Sequence, residues 1–191
     1  MLAVGHLLLA ATIAAGALAA QERGALLVAT EASRDADFSK TVVLVIVHDS
    51  HEATGLVLNR PVKIPLAEVF PGVKTSQTAW AGGPVLLGVN ALLLTKAAPG
   101  DASRILRDVY LITSRSRMRG LMDAGSSLRV YLGVCGWGRG QLENEIQRGL
   151  WLVKPGSADM VFDAAPVTLW KRLSRRTREP GESTGRSAAL R

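Results

Sequence analysis

The segment VCGWGRGQLENEI, from Val134 to Ile146, carries the chain's only cysteine, Cys135, directly before three glycines at alternate positions, Gly136, Gly138 and Gly140. Two carboxylates follow, Glu143 and Glu145. Residues of these types permit three chemistries. A glycine loop that opens a helix can hold phosphate on its backbone N–H groups. A cysteine at a helix N-terminus, beside Arg139, can become a thiolate nucleophile. Or the segment is a strand–turn–helix connection, with Trp137 packed over a turn whose small residues let strand and helix approach.

Spacing weighs these readings. A dinucleotide loop requires G-x-G-x-x-G, and counting from Gly136 the sixth position is Gln141. The G-K-[ST] of a phosphate-binding P-loop is absent. A nucleophilic Cys135 needs a base, and only His48 and His51 lie outside the first twenty residues. A cysteine ending an apolar strand also behaves as a small buried hydrophobe. Glu143 and Glu145, two apart on a helix, face different sides and make no acid–base pair. Glu143, three residues after Gly140, is placed to help cap the helix.

Two other sites have suitable residue types. His48-Asp49-Ser50-His51-Glu52 packs two imidazoles and two carboxylates into five residues. That density can bind a metal, but the stretch reads as a hairpin turn, and no further histidine follows. Arg60, beside Pro61, is a guanidinium at a strand end. It can hold a carboxylate or phosphate, or pair with an acidic neighbour in the fold.

These residues need elements to position them. Gly24–Thr30, Thr41–His48 and Thr54–Arg60 read as strands; the β-branched second run reads as buried on both faces. Pro65–Phe70 reads as one helical turn and Ala79–Val85 as a glycine–proline loop. Further strands are expected at 88–95, 108–114, 127–135, 151–154 and 159–163. Helices are expected at 114–125, capped by Ser114 or Ser116, at 141–150, and from Ala165, with Pro166 in an allowed first-turn position. Strands outnumber helices, and some are joined too closely for parallel crossovers. The expected fold is a single α+β domain over residues 21–177, a mixed, mainly antiparallel sheet with flanking helices.

The 191 residues suit one domain with a real core, and 48 % hydrophobic content excludes a disordered chain. The formal charge of +7 is concentrated at one end: Lys171–Arg191 has seven basic and two acidic residues. Residues 178–191 are expected to be a disordered basic tail. Residues 1–20 contain no Lys, Arg, Asp or Glu and hold an apolar run from Leu7 to Ala20 with Ala17-Leu18-Ala19 before the chain turns polar. This reads as a cleaved secretory leader, giving a periplasmic or otherwise exported protein. The alternatives are an uncleaved membrane anchor and a cytoplasmic chain with an irrelevant extension. The body has no basic reading helix, so direct DNA binding is not expected. Membrane contact is expected only through the leader or the basic tail.

Taken together, GALLVAT, DADFSKTVVLVIVHD, GLVLNRP followed by PLAEVF, AGGPV and GVCGWGRGQLENEIQRGLWL resemble the AlgH/YqgE family in order and spacing, from Gly24 to about Leu173. The resemblance implies one α+β domain whose glycine-rich loops come from distant parts of the chain. It implies no reaction: the family is largely of unassigned function, and some members are described as candidate transcriptional regulators linked to exopolysaccharide control. The family elements fall on Asn59, Arg60 and Pro61; on Gly82, Gly83 and Pro84; and on Gly136, Trp137, Gly140, Gln141, Leu142, Glu143 and Glu145.

Three features depart from the family pattern. Glu52-Ala53-Thr54-Gly55 stands where members carry G-A-M-G. Cys135 occupies a position that is commonly a small residue such as alanine. The leader is atypical. The chain is therefore expected to be a non-enzymatic binding or regulatory protein, with an unknown protein or a small anionic ligand as partner. The alternative is a small-anion or phosphate-metabolite binding protein or hydrolase using the glycine loops. The ligand-binding candidates are Asn59, Arg60, Gly82, Gly83, Gly136, Trp137, Gly138, Gln141 and Glu145. No catalytic residue, metal or cofactor is expected.

Overall fold

The computed structural model describes residues 23–175. The leader at 1–20 and the basic tail at 178–191 lie outside the described residues. In chain order the strands are β1 (Ala25–Ala29), β2 (Val42–His48), β3 (Glu52–Val57), β4 (Pro61–Pro65), β5 (Thr78–Ala81), β6 (Val85–Leu94), β7 (Ser103–Leu106), β8 (Val109–Ile112), β9 (Leu128–Gly138) and β10 (Trp151–Pro155). The helices are α1 (Leu66–Val69), α2 (Arg115–Asp123), α3 (Gln141–Gln147), α4 (Ala158–Val161) and α5 (Pro166–Leu173).

The sheet runs β10-β1-β2-β3-β9-β6-β8-β7, with β5 beside β9 and β4 beside β5. Every pairing is antiparallel except β5 with β9. This is the expected mixed, mainly antiparallel α+β architecture. The sheet also curls until its two ends meet. A Cβ on Gly24, just before β1, would lie 2.8 Å from the Ile105 carbonyl of β7, and one on Gly156, just after β10, would lie 3.5 Å from the Leu106 side chain of β7.

Alternation along β1 and β2 feeds two cores. Leu26, Val28, Val42, Leu44 and Ile46 face one cluster, closed by Val161 of α4 and Leu169 of α5. Ala25, Leu27, Ala29, Val43 and Val45 face another, closed by Trp137, Leu142 and Trp151. Successive side chains of a strand point to opposite faces, so a continuous apolar run requires cover on both. A third cluster lies under α1 and α2, where Leu66, Phe70, Met118 and Met122 pack on β6 and β8. The Ser114 hydroxyl caps α2 by accepting from the Arg117 N–H.

Four local expectations are corrected. Residues 79–85 hold strand β5 as well as the glycine crossing. Residues 159–163 begin inside a short helix, α4, whose start is capped by the Ser157 hydroxyl accepting from the Met160 N–H. Gly136 and Gly138 belong to β9, which runs on to Gly138. Glu143 makes no cap bond at the start of α3; the cap position is Gly140, at φ 71° in the left-handed region.

Candidate functional site

β9 is the axis of the candidate residues. One edge pairs with β6 from Leu128 to Val134. The other pairs first with β5, at Tyr131 and Leu132, and then with β3, from Cys135 to Gly138. Between them sits Gly82: its N–H donates to the Leu132 carbonyl at 2.7 Å, and its carbonyl accepts from the Val57 N–H at 2.8 Å. The chain then crosses β9. A Cβ on Gly83 would overlap the Val134–Cys135 peptide, and one on Gly82 would overlap the Gly133 carbonyl. From below, a Cβ on Gly133 would come within 2.7 Å of the Gly83 carbonyl. The GGP element is thus a backbone-on-backbone crossing, and only glycine fits it.

The Trp137 end of β9 and α3 build a polar cluster over the third core. Glu145 accepts from the indole N–H groups of Trp137 (2.9 Å) and Trp151 (2.8 Å) on Oε2, and from the Gln141 amide (2.9 Å) on Oε1. The Gln141 side-chain oxygen in turn accepts from the Gly138 N–H at 3.1 Å. Phe38 completes an aromatic group, stacked on Trp137 at 6.0 Å and edge-on to Trp151 at 5.5 Å. Glu143 leaves α3 on another side, where its Oε1 lies 2.9 Å from His48 Nε2. Gly136 and Gly138 are exposed, and a Cβ at either would meet nothing within 4 Å, so the close approach expected of them is absent. Nothing in the structure explains why these two positions are glycine.

Asn59 and Arg60 fasten the segment that carries Phe38. Asn59 is buried; its Oδ1 accepts from the Val42 N–H (2.9 Å) and its amide donates to the Lys40 carbonyl (2.9 Å). Lys40 is the one non-glycine residue at positive φ, 56°, among the described residues. Among the described residues Arg60 bonds no carboxylate; its Nη2 donates to the Ser39 carbonyl at 3.2 Å and weakly to that of Ala36 at 3.5 Å. A guanidinium fits there because it can serve several carbonyls from one planar fork.

Cys135 is fully buried, its Sγ 3.5 Å from the Gly82 carbonyl. Burial pushes the thiol up to about 12, with the nearby Arg60 charge opposing only part of the effect. It is a core thiol, protonated at neutral pH. His48 is committed to Glu143. His48–Glu52 forms the β2–β3 turn, in which Asp49 Oδ1 accepts from the His51 and Glu52 N–H groups; those bonds hold its carboxyl below the ordinary carboxylate value. Among the described residues, no three His, Cys, Asp or Glu side chains gather as a metal site.

The nine candidates therefore fall into three groups. Trp137, Gly138, Gln141 and Glu145 form one cluster, with Gly136 beside it on β9. Gly82 and Gly83 form the crossing. Asn59 and Arg60 hold the loop before β2. The Arg60 carbonyl accepts from the Ala81 N–H opposite Leu132, and Gly138 lies six residues further along β9, about 20 Å away at strand rise. Phe38 links the groups through its side chain. It was missed from sequence, as was Trp151; the available signal was that buried indole N–H groups require an acceptor, and Glu145 lies between the two tryptophans in the chain.

The comparisons with known proteins agree with this framework. A family model described as AlgH-like matches residues 26–180. A UPF0301 protein of Thermobifida fusca is 39 % identical over 172 residues, covering 80 % of this chain and 85 % of the relative. One from Streptomyces avermitilis is 34 % identical over 168 residues, covering 81 % and 86 %. The solution structure of the AlgH protein from Pseudomonas aeruginosa matches with a TM-score of 0.66 at 28 % identity, over 80 % of this chain and 85 % of that one. A crystal structure of a Corynebacterium diphtheriae protein shares the fold at a TM-score of 0.71 and 24 % identity, over 83 % and 88 %. On the family model and these relatives together, the chain belongs to the AlgH-like family of UPF0301 proteins.

Proposed function

We propose that this chain is a non-catalytic binding or regulatory domain, carried out of the cytoplasm by residues 1–20. The observation behind the first part is that the polar side chains of the shared motif are engaged with one another. Glu145 is occupied by three N–H donors, Gln141 by Gly138 and Glu145, and Arg60 by backbone carbonyls. The cysteine is buried and protonated. A general acid–base or nucleophilic role needs a group free to change partners during reaction. The uncharged, alanine- and leucine-rich leader ending in A-x-A supports the second part.

The test of the first part is complementation of a strain deleted for the gene. Cys135→Ala and His48→Ala should each restore the wild-type phenotype. If either substitution alone reproduced the deletion in a folded, abundant protein, the domain would be an enzyme. The second part is tested by the mass of the natively expressed chain and its location. Loss of about twenty residues, with the protein in the envelope fraction, is the expected result. An intact cytosolic chain would overturn export and return the regulatory reading to the cytoplasm.

A further inference from the structure

The opposite end of β9 from Trp137 carries a second arrangement that the motif does not use. Arg129, on β9, is half-buried between two rings, 4.3 Å from the Trp80 centroid and 5.4 Å from that of Phe162. Its Nη1 donates to the Val161 carbonyl (2.7 Å) and its Nη2 to the Asp163 carbonyl (2.6 Å). No carboxylate bonds it among the described residues. The Asp163 carboxylate is instead taken by Arg172 Nη2 (2.6 Å) and the Ala165 N–H (2.7 Å). Burial pulls the guanidinium below the ordinary arginine range, the direction expected of a cation short of compensating charge. Five N–H donors serve an arginine, and two carbonyls leave some of them unspent.

Arg129 forms a wall of a cleft of about 580 Å³, with Trp80 and Phe162 beside it and Gln77, Thr78 and Ser127 around it. That volume is in the range of small-ligand sites, which combine an apolar surface with a few polar groups. Behind this wall Tyr131, two residues along the same face of β9, is fully buried against Trp80, with the Arg129 guanidinium as the polar neighbour of its hydroxyl.

We propose that the Arg129–Trp80 cleft binds a small-molecule oxyanion, a carboxylate or a phosphate, with Arg129 as the charged contact and Trp80 as the flat apolar surface beside it. This extends the binding reading by naming a site; that reading stands or falls separately, on the complementation test. The first probes are inorganic phosphate and benzoate, titrated into the isotope-labelled full-length chain and followed by amide and indole NMR shifts. Saturable shifts centred on Thr78, Trp80, Ser127 and Arg129 are expected with at least one probe. Response to phosphate alone assigns a phosphate group, and response to benzoate, with the Trp80 indole moving, assigns an aromatic carboxylate.

Arg129→Gln should weaken binding at least tenfold. Because Arg129 also holds the carbonyls of Val161 and Asp163 at the end of α4, Ser127→Asp serves as the second variant. It sets a carboxylate at the cleft from an exposed position and should weaken binding as much with the fold intact. Shifts that never saturate, that centre elsewhere, or that survive Ser127→Asp unchanged would overturn the cleft as an anion site. They would leave the binding role of the domain untouched.

Discussion

Trp137 and Trp151 donate to the same oxygen, Oε2 of Glu145, at 2.9 and 2.8 Å. One carboxylate thus ties the end of β9 to the start of β10 through α3. Glu145→Ala should destabilise the fold by about 2–4 kcal/mol, since it leaves two nearly buried indole N–H groups without an acceptor. Glu145→Gln should cost less, about 1 kcal/mol, because its amide oxygen still accepts. Denaturant unfolding with tryptophan emission as the probe measures both. Equal losses in the two variants would mean that the negative charge, and not an acceptor oxygen alone, holds the indoles; no loss in Glu145→Ala would mean that the shared acceptor contributes nothing to stability.

The glycines separate into those the backbone needs and those it does not. Gly83→Ala pushes a Cβ into the Val134–Cys135 peptide, and both strands there are held by ladders on either side. The expected cost is above about 3 kcal/mol, or failure to fold. Gly136→Ala and Gly138→Ala place a Cβ in open space and should stay within about 1 kcal/mol of wild type. Thermal unfolding of the three variants side by side decides it. A strongly destabilised Gly136→Ala would show that its exposed face is covered by something in solution.

The sequence made some of this plain and hid the rest for physical reasons. The β-branched run Thr41–His48 required cover on both faces, and β1–β2 deliver it by sending alternate residues to two cores. Ser114 announced its helix by side-chain chemistry that acts locally. Strand β5 could not be read, because Thr78–Ala81 is short and its one parallel partner is some fifty residues away. Gly136 and Gly138 misled, since alternate glycines suggest a loop while the β3 ladder pairs them with Thr54 and Glu52. Helix α4 reads as a strand from its apolar residues, and only Ser157 signals the turn. Of the candidate site, the motif positions were legible. That Asn59 and Arg60 serve the Phe38 loop was not, because those bonds join residues far apart in the chain.

Asn59 supplies a buried acceptor and a donor to the loop before β2. Asn59→Ala strands the Val42 N–H and releases the Lys40 carbonyl, with an expected loss of about 1–3 kcal/mol. Asn59→Asp keeps the acceptor but turns a carboxylate toward the Lys40 carbonyl, so it should recover only part of that loss. Because Phe38 sits in the released segment, both variants should also shift Trp137 and Trp151 emission. An unchanged spectrum would mean that the aromatic group holds the loop without Asn59.

Alkaline pH should expose the buried Cys135. Its thiol titrates near its ordinary value of 9.0 in the unfolded chain and near 12 in the fold, so between those values the native state retains a proton that the unfolded state has lost. Stability must then fall as pH rises through that window, by up to about 1.4 kcal/mol per unit for this one group. Tyr131 adds a loss of the same sign above pH 10.0, since burial raises its hydroxyl too. Tyr131→Phe removes the second contribution. In that background, denaturant unfolding at pH 8 and pH 10.5 should show a decline that Cys135→Ala abolishes. The same thiol should resist iodoacetamide at pH 8 until denaturant is added, since only the thiolate reacts. A decline that persisted in the alanine variant would show that the alkaline sensitivity does not come from this thiol.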